Sequence, residues 1–302
     1  MYKKIVDHIY REYTLANRIL KFFYIFYYNI TVDYMVIKIR FFRTFGFFPN
    51  LSNPKTFNEK IQWIKLNYMN DSKGIYADKY LVREYVGNTV GIKYLIPLVF
   101  QTKDLSKVIE EVLPDFPCIL KVNHSSGNVF IIKDKRKHDL ENTKKHLRFQ
   151  LRQNFYHLNR EVQYRDITPR VLVEKLLLTA NGEIPEDIKI HCFHGVPKFI
   201  QIDTSRFNEH KRSMYDVDWN FLDFKWKKEK GNEIPKPDNL NEMLRIAKDL
   251  SAPFLYTRVD LYNVENKIFF GELTFTPGSG YLAFETIDID LAWGKELDLL
   301  TK

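Results

Sequence analysis

The chain contains few of the features that mark secreted or membrane-spanning proteins. Its 302 residues include only two cysteines, Cys118 and Cys192, and both lie in apolar, strand-like stretches. Two buried thiols fit a reducing compartment better than a disulfide framework. The most apolar stretch, residues 19–30, is interrupted by a lysine and an asparagine and is shorter than the roughly 20 residues that span a bilayer. No signal-peptide cleavage pattern follows the start, so the sequence predicts a cytoplasmic protein.

Charge is present in excess of one sign. Hydrophobic residues make up 45% and charged residues 28%, which is typical of a globular protein, and the formal net charge is +8. That excess favours an anionic partner, whether nucleotide, nucleic acid, acidic glycan or membrane surface, without choosing among them. Residues 1–45 combine basic and aromatic side chains, and we interpret them as a helical extension packed on the main body. Peripheral contact with the inner face of a membrane is the alternative.

Helices and strands are interleaved along the chain, but hairpins dominate its second half, which predicts an α+β fold. Helices are predicted from about residue 56, capped by Thr56 or Asn58, and at 78–86, 139–160 and 240–250. Strands are predicted at 95–100, 118–122, 129–133, 171–175, 188–193, 198–203, 258–264 and 267–274. We divide the chain into a helical N-terminal extension (1–45), an N-terminal part of the body (46–115), a small subdomain (116–180) and a C-terminal subdomain (181–302) with a basic, aromatic, irregular loop (204–236).

The last predicted hairpin carries the clearest chemical pattern. Side chains alternate along a strand, so Arg258 shares a face with Asp260, and Glu272 shares a face with Thr274. Two carboxylates that face the same way on adjacent strands can hold Mg²⁺ together with substrate phosphates. The two acids share a face only with an odd-length turn or a bulge, because a two-residue turn alone would place them on opposite faces. The alternative is an ordinary exposed hairpin.

Two loops add groups that suit phosphate and oxyanion chemistry. The strand is followed by a glycine-containing loop in which the backbone amide of Gly278 could stabilise an oxyanion. Upstream, Lys121 on a strand offers a positive charge to phosphate. The polar loop after it offers backbone N–H groups and, in our interpretation, a histidine donor; its predicted phosphate contacts are His124, Ser125, Ser126 and Gly127.

The final hairpin resembles the C-terminal signature of ATP-grasp ligases such as the D-alanine–D-alanine ligases, with Thr274 where that signature has asparagine. The resemblance implies a metal site of Asp260, Glu272 and Thr274, with Arg258 neutralising charge on the transferred phosphoryl group. It also implies ATP contacts by Lys79 and Lys121, and a strand whose backbone pairs with adenine, carried here by Glu174, Lys175 and Leu177. Asp187 and Lys189 then lie near the phosphates or the acyl acceptor; a surface ion pair is the alternative.

A closer resemblance rests on residues 53–63, 77–83, 187–195 and 258–274, which look like the TupA-like branch of ATP-grasp. The resemblance covers the chain from about residue 36 to its end. That branch occurs in bacterial capsule and surface-polysaccharide loci, and its members are often labelled glycosyltransferases. It implies an ATP-grasp fold and an ATP- and Mg²⁺-dependent ligation, through an acyl phosphate, of an amine to the carboxylate of a uronic-acid glycan, without a nucleic-acid partner.

Two other classes of protein remain as alternatives. A glycosyltransferase would need acidic residues for a nucleotide-sugar metal, and Asp216 and Asp218 form an Asp-x-Asp in the 204–236 loop. A nucleic-acid- or membrane-binding protein without catalysis would explain the charge of +8 but not the ordered acidic and basic motifs. In the ligase interpretation, cations of the 204–236 loop hold the anionic glycan while Trp219 and Trp226 stack on sugar rings.

Overall fold

The computed structural model describes residues 32–125, 129–204 and 210–299. The predictions for residues 1–31, for Ser126 and Gly127, and for residues 205–209 of the predicted 204–236 loop lie outside these ranges. The predicted N-terminal extension is therefore described only from residue 32, where helix α1 (Asp33–Phe45) begins.

Two antiparallel sheets form the frame of the molecule. A small sheet has the strand order β1-β4-β2-β3, and a large sheet has the order β10-β9-β5-β6-β7-β8, in which only β7 and β8 run parallel. The strands are β1 (Leu98–Thr102), β2 (Cys118–Val122), β3 (Phe130–Ile132), β4 (Val171–Lys175), β5 (Asp187–Phe193), β6 (Val196–Thr204), β7 (Lys211–Asp216), β8 (Glu229–Lys230), β9 (Tyr256–Val264) and β10 (Lys267–Thr274).

Helices cover and connect the two sheets. After α1 come α2 (Phe57–Trp63), α3 (Gly74–Ala77), α4 (Val82–Thr89), α5 (Leu140–Leu151), α6 (Phe155–Asn159), α7 (Leu240–Ser251) and α8 (Ile287–Glu296). A π-helix, Ile64–Tyr68, continues α2 directly. Short 3₁₀ turns occur at Asp71–Lys73, Ile92–Tyr94, Leu105–Lys107, Glu110–Val112, Lys135–Lys137, Val162–Tyr164 and Pro277–Gly280. The predicted α+β class is confirmed.

Each sheet has its own hydrophobic core. The strands of the large sheet alternate apolar with polar residues, and the apolar set, which includes Ile190, Val259 and Leu261, packs with Met243 and Ile246 of α7. The small sheet packs around Leu120 and Leu147 of α5 in a smaller cluster. Because the large sheet buries its apolar residues against α7, its alternate residues form a polar face on the other side.

Several predicted bounds were wrong. The helix predicted at 139–160 is broken between α5 and α6, where the Asn154 side chain accepts a hydrogen bond from the Tyr156 amide and caps a new helix. The helix predicted at 78–86 begins at Val82, because Asp78 instead receives the amides of Tyr80 and Leu81 in a turn.

The segment 204–236 was predicted to be irregular, yet it contributes β7 and β8 to the large sheet. Trp226 is 1% exposed and stacks on Phe284, with ring centroids 4.8 Å apart, so it cannot stack on a sugar ring. Trp219 is partly buried against Tyr215. The predicted division of the chain also cuts across the small sheet, since β1 precedes residue 116 and pairs with β4.

The cysteines and the helices bear on two further expectations. Cys118 and Cys192 are both buried free thiols, as predicted. Within the described ranges, no helix combines the length and apolarity needed to cross a bilayer.

Helix α2 begins with a cap in which two side chains take part. The Thr56 hydroxyl accepts a hydrogen bond from the Glu59 amide, and the Glu59 carboxylate accepts one from the Thr56 amide. Together these two hydrogen bonds form a capping box. Glu59 also accepts the amides of Asn50 and Lys55 and so orders the approach to the helix.

Replacing Thr56 with alanine removes a buried hydroxyl that caps α2. We expect Thr56→Ala to lower the free energy of unfolding by about 1 kcal/mol, measured by urea denaturation. Thr56→Ser keeps the hydroxyl and is the matched control. Equal destabilisation by both substitutions would show that the methyl group, not the cap, matters here.

Candidate functional site

The β9–β10 hairpin places its two acids opposite each other by an unexpected route. Its turn has two residues, Glu265 and Asn266, both with positive φ. That turn alone would oppose Asp260 to Gly271. A bulge at Gly271 shifts the register, so that Asp260 pairs with Glu272 and Arg258 pairs with Thr274. The geometric condition stated for a shared face is therefore met.

Gly271 is suited to the bulge because the backbone comes very close there. A Cβ atom at this position would lie 3.1 Å from the Asp260 carbonyl oxygen and 3.1 Å from the Tyr262 ring. A side chain would force one of these neighbours to move, which favours glycine at the bulge.

The hairpin side chains are tightly coupled by charge. Arg258 contacts both carboxylate oxygens of Asp260, each at 2.6 Å, and donates to the Thr274 hydroxyl at 3.1 Å. The Thr274 hydroxyl in turn donates to Glu272 at 3.1 Å. We call Arg258, Asp260, Glu272 and Thr274 the hairpin cluster. Thr274 bridges Arg258 and Glu272 within it.

The two acids of the hairpin cluster differ in their proton affinity. Burial would raise the pKa of Glu272, but Lys79 and Arg258 outweigh burial and bring it to about 2. Burial raises the pKa of Asp260 to about 6, with Arg258 and Lys189 opposing the rise. Both carboxylates are therefore mainly ionised at pH 7.

Lys79 joins the hairpin cluster to the small sheet. Its ammonium lies 3.0 Å from Glu272 and donates to the Ser125 carbonyl oxygen at 2.8 Å, directly after β2. The turn before α4 positions it, because the Lys79 amide donates to the Asn123 carbonyl oxygen. Lys79, for which the resemblance implies an ATP contact, thus lies between the two sheets.

The polar face of the large sheet continues beyond the hairpin cluster. Lys189 pairs across the strands with Asp260, and its ammonium lies 2.8 Å from Asp187 and 3.1 Å from Asp203. Arg212 binds the far side of Asp203 at 2.8 Å. Although burial opposes them, Lys189 and Arg212 hold the pKa of Asp203 well below its ordinary value. The alternative of a surface ion pair for Asp187 and Lys189 is wrong, since both are buried.

A second ionic group lies on the small sheet. Lys121 of β2 contacts Glu174 of β4 at 2.6 Å, and Arg83 approaches the same carboxylate at 3.5 Å. Lys175 is exposed and ends β4. Within the described ranges, no backbone carbonyl oxygen accepts the amide of Leu177, and its predicted contact with adenine stays a prediction.

His124 does not fit the role predicted for it. Its ring is 2% exposed, with Nδ1 3.2 Å from the Asn123 side-chain oxygen and Nε2 3.1 Å from the Gln153 carbonyl oxygen. Burial lowers its pKa. Both nitrogens are engaged within the protein, so neither remains to donate to phosphate. The Ser125 carbonyl oxygen accepts a hydrogen bond from Lys79, and the phosphate contact predicted for Ser125 stays a prediction.

The loop that carries Gly278 is held by side chains of α2 and of the π-helix that continues α2. Gly278 has φ +54°, and a Cβ there would overlap the Leu282 side chain. Gln62 donates to the carbonyl oxygens of Ser279 and Gly280 at 3.0 and 2.7 Å. Lys65, in the π-helix, contacts the Ser279 carbonyl oxygen at 3.2 Å. These contacts hold the backbone of Pro277–Gly280 beside the end of β10.

Lys65 is the residue most clearly missed by sequence reasoning. The sequence predicts only that it lies in the helix that begins near residue 56, yet it is 1% exposed and burial lowers its pKa to about 7. Nothing in the sequence marks it as buried. The π-helix that turns it inward is a local distortion often found at functional sites.

Asp203, Gln201 and Tyr164 were also missed. Strand alternation carried a signal for the first two, because Gln201 and Asp203 pair with Lys189 and Asp187 across the predicted hairpin. Tyr164 follows no pattern. Its phenol is buried in the field of Glu161 and Glu272, and burial raises its pKa well above the ordinary value.

The donor set of the hairpin cluster fits Mg²⁺. Mg²⁺ is usually held by one or two carboxylates together with substrate phosphates and water. Asp260 and Glu272 supply two ionised, directly opposed carboxylates. Within the described ranges no third His, Cys, Asp or Glu joins them in a metal-binding group, so phosphate oxygens would have to complete the coordination.

The site thus combines Lys79 between the two sheets, an opposed acid pair on the large sheet and a fixed loop after β10. The chain belongs to the TupA-like ATP-grasp family, whose model matches residues 59–298. The family and fold predicted from the sequence are confirmed. No curated protein matches the chain.

Solved structures show a more distant similarity. The D-alanine–D-alanine ligase from Bacillus anthracis is 18% identical, with a TM-score of 0.43, and the match covers 68% of this chain and 58% of that one. The ATP-grasp ligase PsnB complexed with a minimal precursor is 14% identical, with a TM-score of 0.41, covering 80% and 68%. The D-alanine–D-alanine ligase from Helicobacter pylori is 20% identical, with a TM-score of 0.38, covering 74% and 62%.

The buried amine of Lys65 predicts a pH dependence of stability. In the folded chain its pKa is about 7, against 10.5 for an ordinary lysine. Between these values the unfolded chain binds more protons, so the free energy of unfolding gains a positive slope with pH. Below the folded pKa, both states carry the proton and the contribution is flat.

We expect wild type to gain stability relative to Lys65→Met across this interval, measured by urea denaturation. Lys93→Met, at an exposed position, controls for the loss of a lysine. A difference between wild type and Lys65→Met that stays constant with pH would contradict a buried amine with a lowered pKa.

Proposed function

We propose that this chain is an ATP- and Mg²⁺-dependent ligase that joins a carboxylate to an amine through an acyl phosphate. The main support is that Asp260 and Glu272 lie opposite each other on the polar face of the large sheet. Lys79 and Arg258 contact these two carboxylates. Family membership supports the use of ATP.

The chemistry balances in two steps. A carboxylate oxygen of the acid attacks the γ-phosphorus of ATP, the bond to the β-phosphate oxygen breaks, and ADP leaves. The amine nitrogen then attacks the acyl carbon, phosphate departs with the C–O electron pair, and the amine loses a proton. Mg²⁺ bound by Asp260 and Glu272 would supply charge neutralisation at the phosphates.

The residues of this chain have separate tasks in these steps. Lys79 and Arg258 face the phosphoryl group and balance its charge, while Lys121 binds phosphate from the small sheet. The amide of Leu177 pairs with the adenine edge. The Gly278 amide, in a loop held by Gln62, supports the oxyanion of the tetrahedral intermediate. Lys189 holds the acid substrate or the acyl acceptor near Asp260.

Cations already paired with acids suit this purpose. In the described structure Lys79, Lys121 and Arg258 each contact a carboxylate. They are therefore held in place before the nucleotide binds. Phosphate can replace or share the carboxylates that they now contact without a change in the side-chain rotamers of these cations.

The acid substrate we propose is a uronic-acid-containing surface polysaccharide. The net charge of +8 favours an anionic glycan. Exposed lysines 225, 227, 230 and 236 lie in the 204–236 segment, which leads away from the polar face through β7. Because Trp226 is buried, these cations rather than stacking tryptophans would hold the glycan.

The glycosyltransferase alternative is disfavoured by the Asp216 side chain. Its carboxylate accepts the amides of Asp218 and Asn220 at 3.0 and 2.8 Å and the Asn220 side chain at 2.7 Å. It therefore caps a turn at the end of β7, which is an ordinary structural role for an aspartate.

Acid activation is tested without knowing the natural amine. The chain is incubated with ATP, Mg²⁺, hydroxylamine and a panel of uronic acids and uronic-acid oligosaccharides. An acyl phosphate reacts with hydroxylamine to give a hydroxamate, which is measured by colour and by mass spectrometry alongside ADP. Sugar-nucleotide turnover without ATP, and no hydroxamate from any acid, would favour the glycosyltransferase.

The acid pair gives the sharpest mutational test of this function. We expect Asp260→Asn and Glu272→Gln each to reduce ADP release by about 10²-fold or more, because each removes a charge next to the transferred phosphoryl group. Asp216→Asn, in the rival motif, is the control and should retain activity. Survival of ADP release in both acid-pair variants would exclude the mechanism.

A further inference from the structure

Exposed apolar side chains are concentrated around α1. Single exposed apolar residues are normal on a protein surface, whereas a contiguous group marks a surface that another molecule covers. Within residues 32–48, the large apolar side chains that are 42–63% exposed are Val32, Tyr34, Met35, Ile39, Phe42 and Phe48. Elsewhere in the described ranges, exposed large apolar side chains occur singly, spread over residues 75–287. We call the exposed side chains of residues 34, 35, 39, 42 and 48 the α1 patch.

Helix α1 is apolar on both of its sides. Its inner side buries Val36, Ile37 and Phe41. Its outer side carries Met35, Ile39 and Phe42, which follow one another at intervals of four and three residues and so form one stripe. The outer side of a helix that faces water normally carries polar residues. The composition of α1 is therefore that of a helix covered on its outer side as well.

The turn after α1 widens this stripe into a patch. Gly46 ends the helix with φ +81° and turns the chain. Phe48 then stacks on Phe42, with ring centroids 4.7 Å apart. The Lys38 ammonium lies 5.1 Å from the centroid of the Tyr34 ring and 5.7 Å from that of Phe48. The fold thus surrounds one cation with apolar and aromatic side chains on the surface.

The charges available at the α1 patch have one sign. Lys38 lies within the patch, and Arg43 is exposed on the next turn of the helix. Asp33 is the one acid in the sequence of residues 32–50. Its carboxylate is held by Arg160 at 3.2 Å and by the Tyr156 hydroxyl at 3.0 Å. The patch therefore favours an anionic partner.

Apolar side chains with interspersed cations match the surface of an anionic bilayer. Apolar groups enter its headgroup layer, while lysine, arginine and tyrosine keep their polar ends in water or against anionic headgroups. A nucleic acid would instead be bound through its phosphates by many cations, and α1 offers few. A second copy of the chain, paired patch to patch across a two-fold axis, would bring two Lys38 ammonium groups together, which is unfavourable.

The sequence next to the patch has the same character. Val32, which is 63% exposed, follows directly on residues 1–31. Those residues include more basic than acidic side chains, and residues 22–28 read Phe-Phe-Tyr-Ile-Phe-Tyr-Tyr. The sequence that adjoins α1 thus supplies the same two kinds of side chain, cationic and aromatic.

We infer that the α1 patch docks on an anionic lipid bilayer. Its apolar side chains enter the headgroup layer, and Lys38 and Arg43 contact anionic headgroups. Docking positions the body of the protein, since Phe41 is fully buried under α1 and Arg40 donates to the Asn159 side chain at 2.9 Å. The inference goes beyond the proposed function and does not depend on it, because docking needs neither ATP nor an acid substrate.

Vesicle binding by the full chain tests the inference. Co-sedimentation is measured with vesicles of phosphatidylglycerol and phosphatidylcholine in equal amounts, and with vesicles of phosphatidylcholine alone. We expect the chain to bind the anionic vesicles more tightly. The triple variant Met35→Gln/Ile39→Gln/Phe42→Gln should weaken that binding by about tenfold or more, because it removes the apolar stripe. Lys38→Gln should weaken it by about fivefold, and only with anionic vesicles.

A matched triple variant separates the patch from general surface hydrophobicity. Ile92, Ile109 and Val196 are 42–79% exposed and lie on three other elements. Ile92→Gln/Ile109→Gln/Val196→Gln should leave vesicle binding unchanged. Urea denaturation shows whether each variant is folded. Lys38→Gln changes a single partly exposed side chain, so it keeps the test decisive if the α1 triple variant is destabilised.

Equal binding of the wild type to both kinds of vesicle, or anionic-vesicle binding that survives Lys38→Gln and the α1 triple variant, would overturn the inference. So would a wild-type dimer in analytical ultracentrifugation that the α1 triple variant abolishes while vesicle binding is absent, since a second copy would then cover the patch. Loss of ADP release or of hydroxamate formation concerns the proposed function alone, because vesicle binding is measured without ATP.

Discussion

A buried charge must have a counter-charge, and this constraint organises the polar face of the large sheet. An isolated ion within a protein is strongly unfavourable, so it persists only with a partner held in good geometry. Each acid of the face has one: Arg258 for Asp260, Lys79 for Glu272, and Lys189 for Asp187 and Asp203. Removing one member of a pair would leave the other as a buried charge without a counter-charge, which destabilises the folded state. The face is therefore one coupled network.

Much of the frame follows from local patterns. The strands at residues 118–122 and 171–175 were predicted with their observed bounds, because apolar runs end there at clear turn or charge signals. The acids of the last hairpin were found because strand alternation is strict. The resemblance to ATP-grasp ligases then related Lys79, Lys121 and Glu174 to them, although each alone is an ordinary charged residue.

What could not be predicted depends on tertiary contacts. Burial of Lys65 requires a π-helix and the carbonyl oxygen of Ser279, more than 200 residues away in sequence. Residues 204–236 are rich in cations, aromatics and turn-forming residues, so their composition does not predict a strand. Strand β7 forms there because it pairs with the edge of β6. His124 is polar and follows a strand, but only the position of Gln153 shows that its ring is turned inward. The roles of the individual site residues stay predictions.

Two hairpins of the large sheet, β5–β6 and β9–β10, have a two-residue turn followed by a bulge. In the β5–β6 hairpin the turn is His194 and Gly195, and the register shifts between His191 and Cys192. An insertion or deletion of one residue between bulge and turn would move an entire strand to its opposite face. Asp260 stays opposed to Glu272 after such a change only where the turn or the bulge takes up the added or missing residue.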